Sequence, residues 1–390
     1  MGLSGAVGPL AAATIRTHPA DFLVEELSLF EPSGAGEHVA LLIRKSNLDH
    51  RSMVRRVANA FGVPPGHIGW AGMKDRVAVT MQWITVHTPQ DDAELGDELQ
   101  IVHSARHARR LRTGQLTGNR FVIRMRGVDP TAVIATNNRL EAIVSTGLPN
   151  RFMSQRFGYR GANAVLGTHL LRGEFDQLLR VWLGEEGPPS PDEEQPRRRH
   201  FEEGQFNEAR AEWPANWRPE CDALQQLAEG DNAKRVVHYV PRDIRRIWTD
   251  SAQSAIFNDV LDRRLASGTA SVVGEDDISW KYDRFYEAID VPVGEPVPTG
   301  PLWGKRMRRA TGVIDTCECE ALERAGLSMQ CFDGRRGPAG ARRPLVVPIV
   351  SPRCEAGFDE HGPYVEVGFT LPKGAYATAV MDAIMSPDAT

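Results

Sequence analysis

The alternation of apolar and polar residues predicts β-strands towards both ends of the chain. In residues 120–127 apolar side chains alternate with arginines, and in residues 365–371 valine, phenylalanine and leucine alternate with small or polar residues. A period of two is typical of a strand with one buried face, so the arginines of residues 120–127 are expected to form a basic outer face. Residues 39–43 and the strand-like run at residues 79–87 indicate two further strands.

Helical periodicity predominates in the middle of the chain. In residues 175–183 apolar side chains recur at the i, i+3, i+4, i+7 and i+8 positions of an amphipathic helix. Residues 184–194 are rich in glycine, proline and acidic residues, which indicates an exposed loop or a linker. Residues 291–343, rich in glycine, proline and arginine, are also expected to be irregular. Related patterns predict helices at residues 52–61, 131–146, 219–227, 251–265 and 377–385.

These elements predict an α+β protein in which an inserted domain interrupts a first one. The chain has 390 residues, 41% of them hydrophobic, which is enough for two domains with separate cores. Strands at both ends and helices in the middle favour a first domain formed by residues 1–172 and 346–390. The inserted domain is expected to comprise residues 173–345.

Cysteine usage and hydropathy predict a soluble, cytoplasmic protein. Five cysteines, all in the C-terminal half, suit a reducing compartment better than a disulfide framework. Residues 1–13 lack the basic segment of a signal peptide, and no apolar run is long enough to span a membrane. Cys317 and Cys319 form one tight pair, which leaves a zinc-dependent nucleic-acid protein as an alternative to ordinary buried thiols.

The distribution of charge allows a nucleic-acid partner although the net charge is −5. Basic residues cluster in short segments, and such segments can hold a phosphate backbone even when the whole chain is acidic. The alternative is that these clusters are solvated faces neutralised by acidic neighbours. One cluster borders a glycine turn and supplies candidates for contacts with RNA phosphates, namely Arg106, Arg109, Arg110 and Arg112.

Asp75 is the first candidate for chemistry. It lies between Lys74 and Arg76, shortly after Gly72 and before the strand predicted at residues 79–87. Because neighbouring cations favour the ionised form of an acid, Asp75 is expected to be a standing anion that can act as a nucleophile or a base. Taken alone, the same tripeptide is more typical of a charged surface turn.

A second candidate segment follows the helix predicted at residues 131–146. Residues 148–158 combine the amide of Asn150 with Phe152, Gln155 and Arg156. A flat ring beside hydrogen-bonding groups is what a protein uses to hold an unstacked base. The alternative is a core pair of phenylalanines with an arginine at the surface.

Distinctive short segments lie at several places along the chain. The central one is Ala71-Gly72-Met73-Lys74-Asp75-Arg76 with Ala78, Thr80 and Gln82. The others are residues 19–26, residues 36–38 with Lys45, and residues 118–121, 149–158, 251–258 and 371–378. Together these segments resemble the TruD family of tRNA pseudouridine synthases, and they occur in the family's order.

The resemblance implies a catalytic domain of pseudouridine-synthase fold, a mostly antiparallel sheet flanked by helices, with a family-specific α/β domain inserted into it. It implies an isomerase that converts uridine into pseudouridine in tRNA and points to position 13. It implies no metal, cofactor, membrane or protein partner. Asp75 is then the nucleophile, and the substrate-binding residues implied by position are Phe22, Asn150, Phe152, Tyr376, Lys74 and Arg76.

The closing segment departs from the family pattern. Asp382 and Ala383 stand where the family usually has Arg-Glu, so a salt bridge of the family at this point is not expected here. Tyr376 stands where phenylalanine is also common, which keeps a stacking face and adds a hydroxyl. Together with the basic clusters, this departure leaves one alternative of the same ancestry, a non-catalytic RNA-binding or RNA-chaperone protein.

Overall fold

The computed structural model describes Leu10 and residues 12–281, 296–334 and 337–385. The N-terminal segment, the region 291–343 expected to be irregular and the last basic cluster therefore lie partly outside the described residues. Described strands are Phe22–Ser28 (β1), His38–Ser46 (β2), Ile68–Trp70 (β3), Val79–His87 (β4), Leu99–His107 (β5), Leu116–Met125 (β6), Leu148–Pro149 (β7), Ser279–Trp280 (β8), Val297–Leu302 (β9), Ala341–Pro344 (β10), Val346–Val347 (β11), Val350–Asp359 (β12) and Gly362–Pro372 (β13).

The helices confirm the periodic segments of the sequence. Residues 175–183 form one helix with the bounds that the periodicity gave, and the helix expected at 251–265 begins nine residues earlier. Described α-helices are His50–Ala60 (α1), Ala132–Thr146 (α2), Asn163–Arg172 (α3), Phe175–Leu183 (α4), Gln195–Glu202 (α5), Phe206–Glu212 (α6), Arg218–Ala228 (α7), Ala233–Tyr239 (α8), Arg242–Ala266 (α9), Gly312–Arg324 (α10) and Ala377–Met385 (α11).

Contacts divide the chain into two compact units, and the second is inserted into the first. Described residues up to Leu148 and from Val346 onward belong to the first unit, whereas Pro149–Trp280 and Pro296–Leu345 form the second. The division after Leu148 differs from the boundary at residue 172 expected from the sequence. The reason is that α3, within residues 149–172, packs along α9 and contributes Leu166 to the core of the second unit.

The first unit is built on a mostly antiparallel sheet, which confirms the expected fold class. Its strand order is β12-β13-β6-β1-β4-β2-β5, with β3 paired to β4. Within the described ranges, β1 and β4 run parallel while the other neighbours in this sheet are antiparallel. The sequence segments before residue 148 and after residue 346 therefore form one sheet, joined where β13 pairs with β6.

Helix α1 covers one end of this sheet because its apolar stripe matches the inward residues of β2. Met53, Val57 and Phe61 are buried in one cluster with Val39 and Ile43 of β2. Asp49 caps the helix, since its side chain accepts a hydrogen bond from the backbone N–H of Ser52. The helix fixes the segment that ends in Lys45, a residue of the candidate site.

The basic outer face expected on β6 is wrong in one respect, because Arg126 is buried. Its guanidinium group donates to Asp21 and Asp359, at 2.6 and 2.7 Å, and these hydrogen bonds hold the pKa of Asp359 well below its usual range. Arg124 donates to Glu366 on the neighbouring strand β13. The two arginines therefore tie β6 to the rest of the first unit, so neither presents an unpaired charge.

The second unit is mainly helical, with a small sheet β10-β9-β8. Its core contains Leu178, Trp182, Leu224 and Trp248, and the 25-residue helix α9 passes through it. Regular elements β9, α10 and β10 occupy part of the region that the sequence described as irregular.

The sequence pattern did not reveal β9 and α10, for two physical reasons. Prolines at positions 298 and 301 interrupt the apolar pattern of β9. On α10, Glu318 is buried through an ion pair with Arg342 of β10 at 2.7 Å, so a buried position carries a charged residue. Both features remove the periodic signal on which the sequence interpretation depends.

Within the described ranges, no helix is both long and apolar enough to cross a membrane.

Candidate active site

Asp75 lies in the loop between β3 and β4 of the first unit. The parallel pairing of β1 with β4, in which Leu23 faces Val79, places the end of this loop beside the beginning of β1. The side chain of Asp75 is 62% exposed. The loop therefore presents an accessible carboxylate next to the strand that begins with Phe22.

Arg16 joins Asp75 to Phe22. Its Nη2 donates to Oδ2 of Asp75 at 2.7 Å, and its guanidinium carbon lies 4.3 Å from the centroid of the Phe22 ring. Phe22 itself is buried, with its edge against Phe121. Arg16 thus holds the carboxylate beside an aromatic face through one ion pair and one cation–π contact.

Sequence reasoning missed Arg16. The residue lies outside any regular element, and its φ of 62° is in the left-handed region, so no periodicity marks it. The available signal is its position three residues before Pro19, at the start of the segment that resembles the family.

Lys74 is engaged inside the first unit. Its ammonium group pairs with the carboxylate of Glu26 at 2.5 Å, and both side chains are buried. Burial raises the pKa of Glu26, and the contact with Lys74 opposes that shift. In this structure Lys74 therefore anchors the loop of Asp75 to β1, and a role in binding substrate stays a prediction, as it does for Arg76.

Lys45 fixes the backbone of the same loop. Its buried Nζ donates to the carbonyl oxygens of Leu48 and Asp75, each at 2.7 Å, and to that of Lys74 at 3.5 Å. Burial lowers the pKa of Lys45 to about 8, and the charge of Asp75 opposes that shift. The family resemblance included Lys45 without giving it a role. The structure shows that Lys45 holds the backbone of the loop that carries the candidate nucleophile.

Hydrogen bonds also connect this loop to the closing segment of the chain. The N–H of Gly114 donates to the carbonyl oxygen of Ala71 at 2.7 Å, and Nζ of Lys373 donates to the carbonyl oxygen of Gly114 at 3.0 Å. Tyr376 follows three residues later, half-buried and immediately before α11. The first unit thus contains five of the seven residues predicted for catalysis and substrate binding, namely Phe22, Lys74, Asp75, Arg76 and Tyr376.

The four arginines expected to contact RNA fall into two classes. Arg106 donates to the carbonyl oxygens of residues 88 and 89, and Arg110 donates to that of Ile68 at 2.7 Å. These two side chains stabilise the fold. Arg109 and Arg112 are exposed, as Arg110 is too, but their side chains form no such hydrogen bond among the described residues, so they are the better candidates for phosphate contacts.

Asn150 and Phe152 belong to the second unit. Nδ2 of Asn150 donates to the carbonyl oxygen of Pro344 at 2.9 Å, and Arg343 donates to Oδ1. The guanidinium group of Arg343 also lies 4.2 Å from the centroid of the Phe152 ring. Asn258 exchanges two hydrogen bonds with the backbone of Phe152. Asn150 and Phe152 therefore share Arg343 as a contact. That either residue contacts uridine stays a prediction.

The cysteines do not form a metal site in the structure. All five are free thiols. Within the described ranges, no group of three or more His, Cys, Asp and Glu side chains is arranged to hold a metal ion. The zinc-dependent alternative therefore has no supporting geometry there.

The fold of the whole chain resembles that of a solved structure. A crystal structure of a Methanosarcina mazei protein described as tRNA pseudouridine synthase D covers 99% of this chain, and the chain covers 96% of it, with a TM-score of 0.80 and 24% sequence identity. The architecture is therefore that of a pseudouridine synthase, a sheet-based domain with a second unit inserted.

Sequence comparison identifies the family. The family model described as tRNA pseudouridine synthase D (TruD) matches residues 8–384. Curated proteins named tRNA pseudouridine synthase D from Geobacter metallireducens and Geobacter sulfurreducens are 34% and 32% identical over 97% of this chain, with 96% and 95% of their own lengths covered. The chain belongs to the TruD family.

Proposed function

We propose that this protein is a tRNA pseudouridine synthase that isomerises one uridine of tRNA, with Asp75 as its nucleophile. The observation that carries the proposal is the carboxylate of Asp75, exposed within a signature segment of the TruD family and held by Arg16 beside the ring of Phe22. Arg16 and Lys45 support its position from two sides. The target that we propose is the uridine at position 13.

The reaction requires an ionised and accessible carboxylate. Asp75 either attacks the sugar or the base, or abstracts a proton to give a glycal. In each route the N1–C1′ bond of uridine breaks, the base turns, and a C5–C1′ bond forms. The proton lost from C5 is balanced by the proton gained at N1, so the product is an isomer of the substrate. The ion pair with Arg16 orients the carboxylate of Asp75 for this step.

Aromatic rings and amide groups are expected to hold the uridine during this rearrangement. Phe22 is linked to Asp75 through Arg16, while Tyr376 offers a stacking face and a hydroxyl. Asn150 and Phe152 are expected to contribute contacts to the base, as the family resemblance implies. Backbone phosphates would be bound by exposed cations such as Arg109 and Arg112.

Replacing Asp75 by asparagine tests the proposal. Asp75→Asn keeps the size of the side chain but removes the nucleophile, so pseudouridine formation should fall by more than about 10³-fold, while tRNA affinity stays within a few-fold. Product is measured by primer extension after carbodiimide treatment of the tRNA, and affinity by filter binding. Asp97→Asn, at an exposed position of the same unit, should behave as wild type.

Residual wild-type turnover in the Asp75→Asn protein would exclude Asp75 as nucleophile. The position of the target is tested with a tRNA transcript that carries cytidine in place of uridine at position 13, which should give no product. The non-catalytic alternative predicts that wild-type protein binds tRNA tightly and forms no pseudouridine in any transcript.

A further inference from the structure

A cavity of about 250 Å³ in the second unit is lined by an unusual number of aromatic rings. Four of the eight tryptophans of the chain contribute to it, although they come from separate helices and loops. We call this cavity the aromatic pocket, and its principal residues are Tyr159, Trp182, Trp213, Trp217, Trp248 and Glu220.

The aromatic pocket has a packed floor and an open mouth. Trp182, Trp213 and Trp248 are buried in the core of the unit. Tyr159, by contrast, is 69% exposed and stands with its edge towards the ring of Trp217, at a centroid distance of 5.9 Å. Ile247 is exposed beside them. Apolar rings at an open mouth are available to cover a flat ligand.

Two polar groups of the aromatic pocket could fix the orientation of such a ligand. Oε1 of Glu220 accepts a hydrogen bond from the indole N–H of Trp182 at 3.0 Å, and a carboxyl group has capacity for further partners. The indole N–H of Trp213 has no hydrogen-bond partner among the described residues, although Trp213 is only 4% exposed. Because a buried donor without an acceptor is costly, Trp213 indicates a missing partner.

The arginines around the aromatic pocket argue against a cationic ligand. Arg197 lies 4.8 Å from the centroid of the Trp213 ring and 5.7 Å from that of Trp217, so one face of each ring already holds a cation. Arg198 donates to Glu194 and to backbone carbonyl oxygens of residues 182 and 184. A flat, uncharged ring with its own donor and acceptor fits the remaining space.

Helix α9 connects the aromatic pocket to a positively charged surface. Ile244 and Trp248 line the pocket, whereas Arg242 and Arg246 line a larger groove on the same helix. Arg246 forms an ion pair with Asp250 one turn further along α9, so helix stability accounts for part of its role. Arg242 lies in the first turn of α9, where a cation opposes the helix dipole, and helix stability does not explain it. Both side chains suit the phosphates that would accompany a bound base.

We propose that the aromatic pocket binds one unpaired nucleobase of the RNA substrate, outside the uridine that reacts. The base packs against Tyr159 and Trp217, its amino or imino group donates to Glu220, and its acceptor receives the N–H of Trp213. The cavity is smaller than the roughly 300–1,000 Å³ of pockets for drug-sized ligands, which suits a single base. This inference rests on the proposed function, because it takes RNA as the substrate.

Substitutions at the mouth test the proposal in the full-length protein. Tyr159→Leu and Trp217→Leu remove stacking faces, so KM for tRNA should rise by about 5- to 100-fold, while kcat at saturating tRNA stays within about twofold. Tyr239→Leu is the control, since Tyr239 is an exposed aromatic residue of the same unit outside the aromatic pocket. Because Tyr159 is more exposed than Trp217, it keeps the test valid if Trp217→Leu fails to fold.

Ultraviolet cross-linking of wild-type protein to tRNA, followed by mass spectrometry, provides the second readout. Cross-links at Tyr159 or Trp217 support the proposal. Unchanged KM in both variants, with no cross-link at either residue, overturns it even if the wild type forms pseudouridine. Self-association that these variants abolish at unchanged KM also overturns it, since the pocket then holds a second copy.

Failure of the proposed function can be distinguished from failure of the base-binding proposal. In that case wild-type protein forms no pseudouridine, yet the variants at Tyr159 and Trp217 still weaken tRNA binding in a filter assay, which leaves the base-binding proposal standing.

Discussion

Arg16 contacts both the carboxylate of Asp75 and the ring of Phe22, so its contribution should appear in catalysis more than in stability. An exposed ion pair contributes about 0–1 kcal/mol to folding, whereas a small displacement of a reacting group can lower the rate about 10²-fold. We expect Arg16→Met to lower kcat by about that factor and to change Tm little. Steady-state kinetics with tRNA and thermal unfolding measure the two effects.

Arg120→Met is the matched control for Arg16. Arg120 forms an exposed ion pair with Glu25 in the same unit, so its loss should leave kcat unchanged. A wild-type kcat for Arg16→Met would show that the ion pair of Asp75 has no part in the reaction.

Lys45 should make stability depend on pH above neutrality. Its pKa is about 8 in the folded protein and near the ordinary 10.5 once unfolded. Between these values the unfolded chain holds a proton that the folded protein has released, so the free energy of unfolding rises with pH. The free energy of unfolding of wild type, relative to that of Lys45→Met, should rise by on the order of 2 kcal/mol between about pH 8 and pH 10. Urea unfolding at each pH measures this difference.

A difference in the free energy of unfolding between wild type and Lys45→Met that stays constant across that pH range would contradict the prediction. Lys45 would then keep its proton in the folded state. Lys373→Met provides the control, since Lys373 is an exposed lysine of the same unit.

The sequence marked Asp75 as a candidate because its neighbours form a recognisable local motif, but it could not reveal contacts made over long separations. Arg126 was assigned to an outer face from alternation alone, yet its partners Asp21 and Asp359 lie 105 and 233 residues away along the chain. Local periodicity cannot distinguish an arginine in water from one buried by distant carboxylates. Arg16 was missed for the same reason.

At the scale of elements, helices α3 and α9 approach closely because residue 167 is glycine. A Cβ atom added there would lie 2.0 Å from the carbonyl oxygen of Trp248 and 2.9 Å from Cβ of Ala252. We expect Gly167→Ala to destabilise the protein by about 1–3 kcal/mol through overpacking, measured by urea unfolding. Gly274→Ala, whose Cβ would meet its nearest neighbour at 3.5 Å, should be close to neutral.

Equal stability of the two glycine variants would contradict the close contact of α3 and α9.

Elements were predictable where burial depends on one face of one segment. Helix α4 was found with its bounds because its apolar stripe is regular. Strand β4 was found because β-branched and aromatic residues predominate in it. The first nine residues of α9 were missed because Arg242 and Arg246 interrupt the apolar stripe. The boundary after Leu148 was missed because it depends on which core α3 joins, and only three-dimensional packing decides that.

At the scale of the whole molecule, exposed cations should determine how tRNA binding responds to salt. Each phosphate contact contributes roughly one unit to the slope of log affinity against log salt concentration. We expect Arg109→Gln combined with Arg112→Gln to reduce that slope by about one to two units, measured by filter binding over a salt series. Arg51→Gln with Arg55→Gln, on exposed positions of α1, is the control.

An unchanged slope for the Arg109 and Arg112 double variant, with the control also unchanged, would remove this segment from the RNA-binding surface. A reduced slope for the Arg51 and Arg55 double variant alone would place the phosphate contacts along α1 instead.

The pairing of β13 with β6 has a consequence for the order in which the protein is made. During synthesis β6 emerges early, but its neighbour β13 follows only after the second unit, about 240 residues later along the chain. At roughly 5–20 residues per second the ribosome needs about 12–50 seconds for that interval. Throughout it one edge of β6 has no strand beside it, and open strand edges promote aggregation. Slow translation of residues 149–345 should therefore lower the yield of soluble protein more than slow translation of any other stretch.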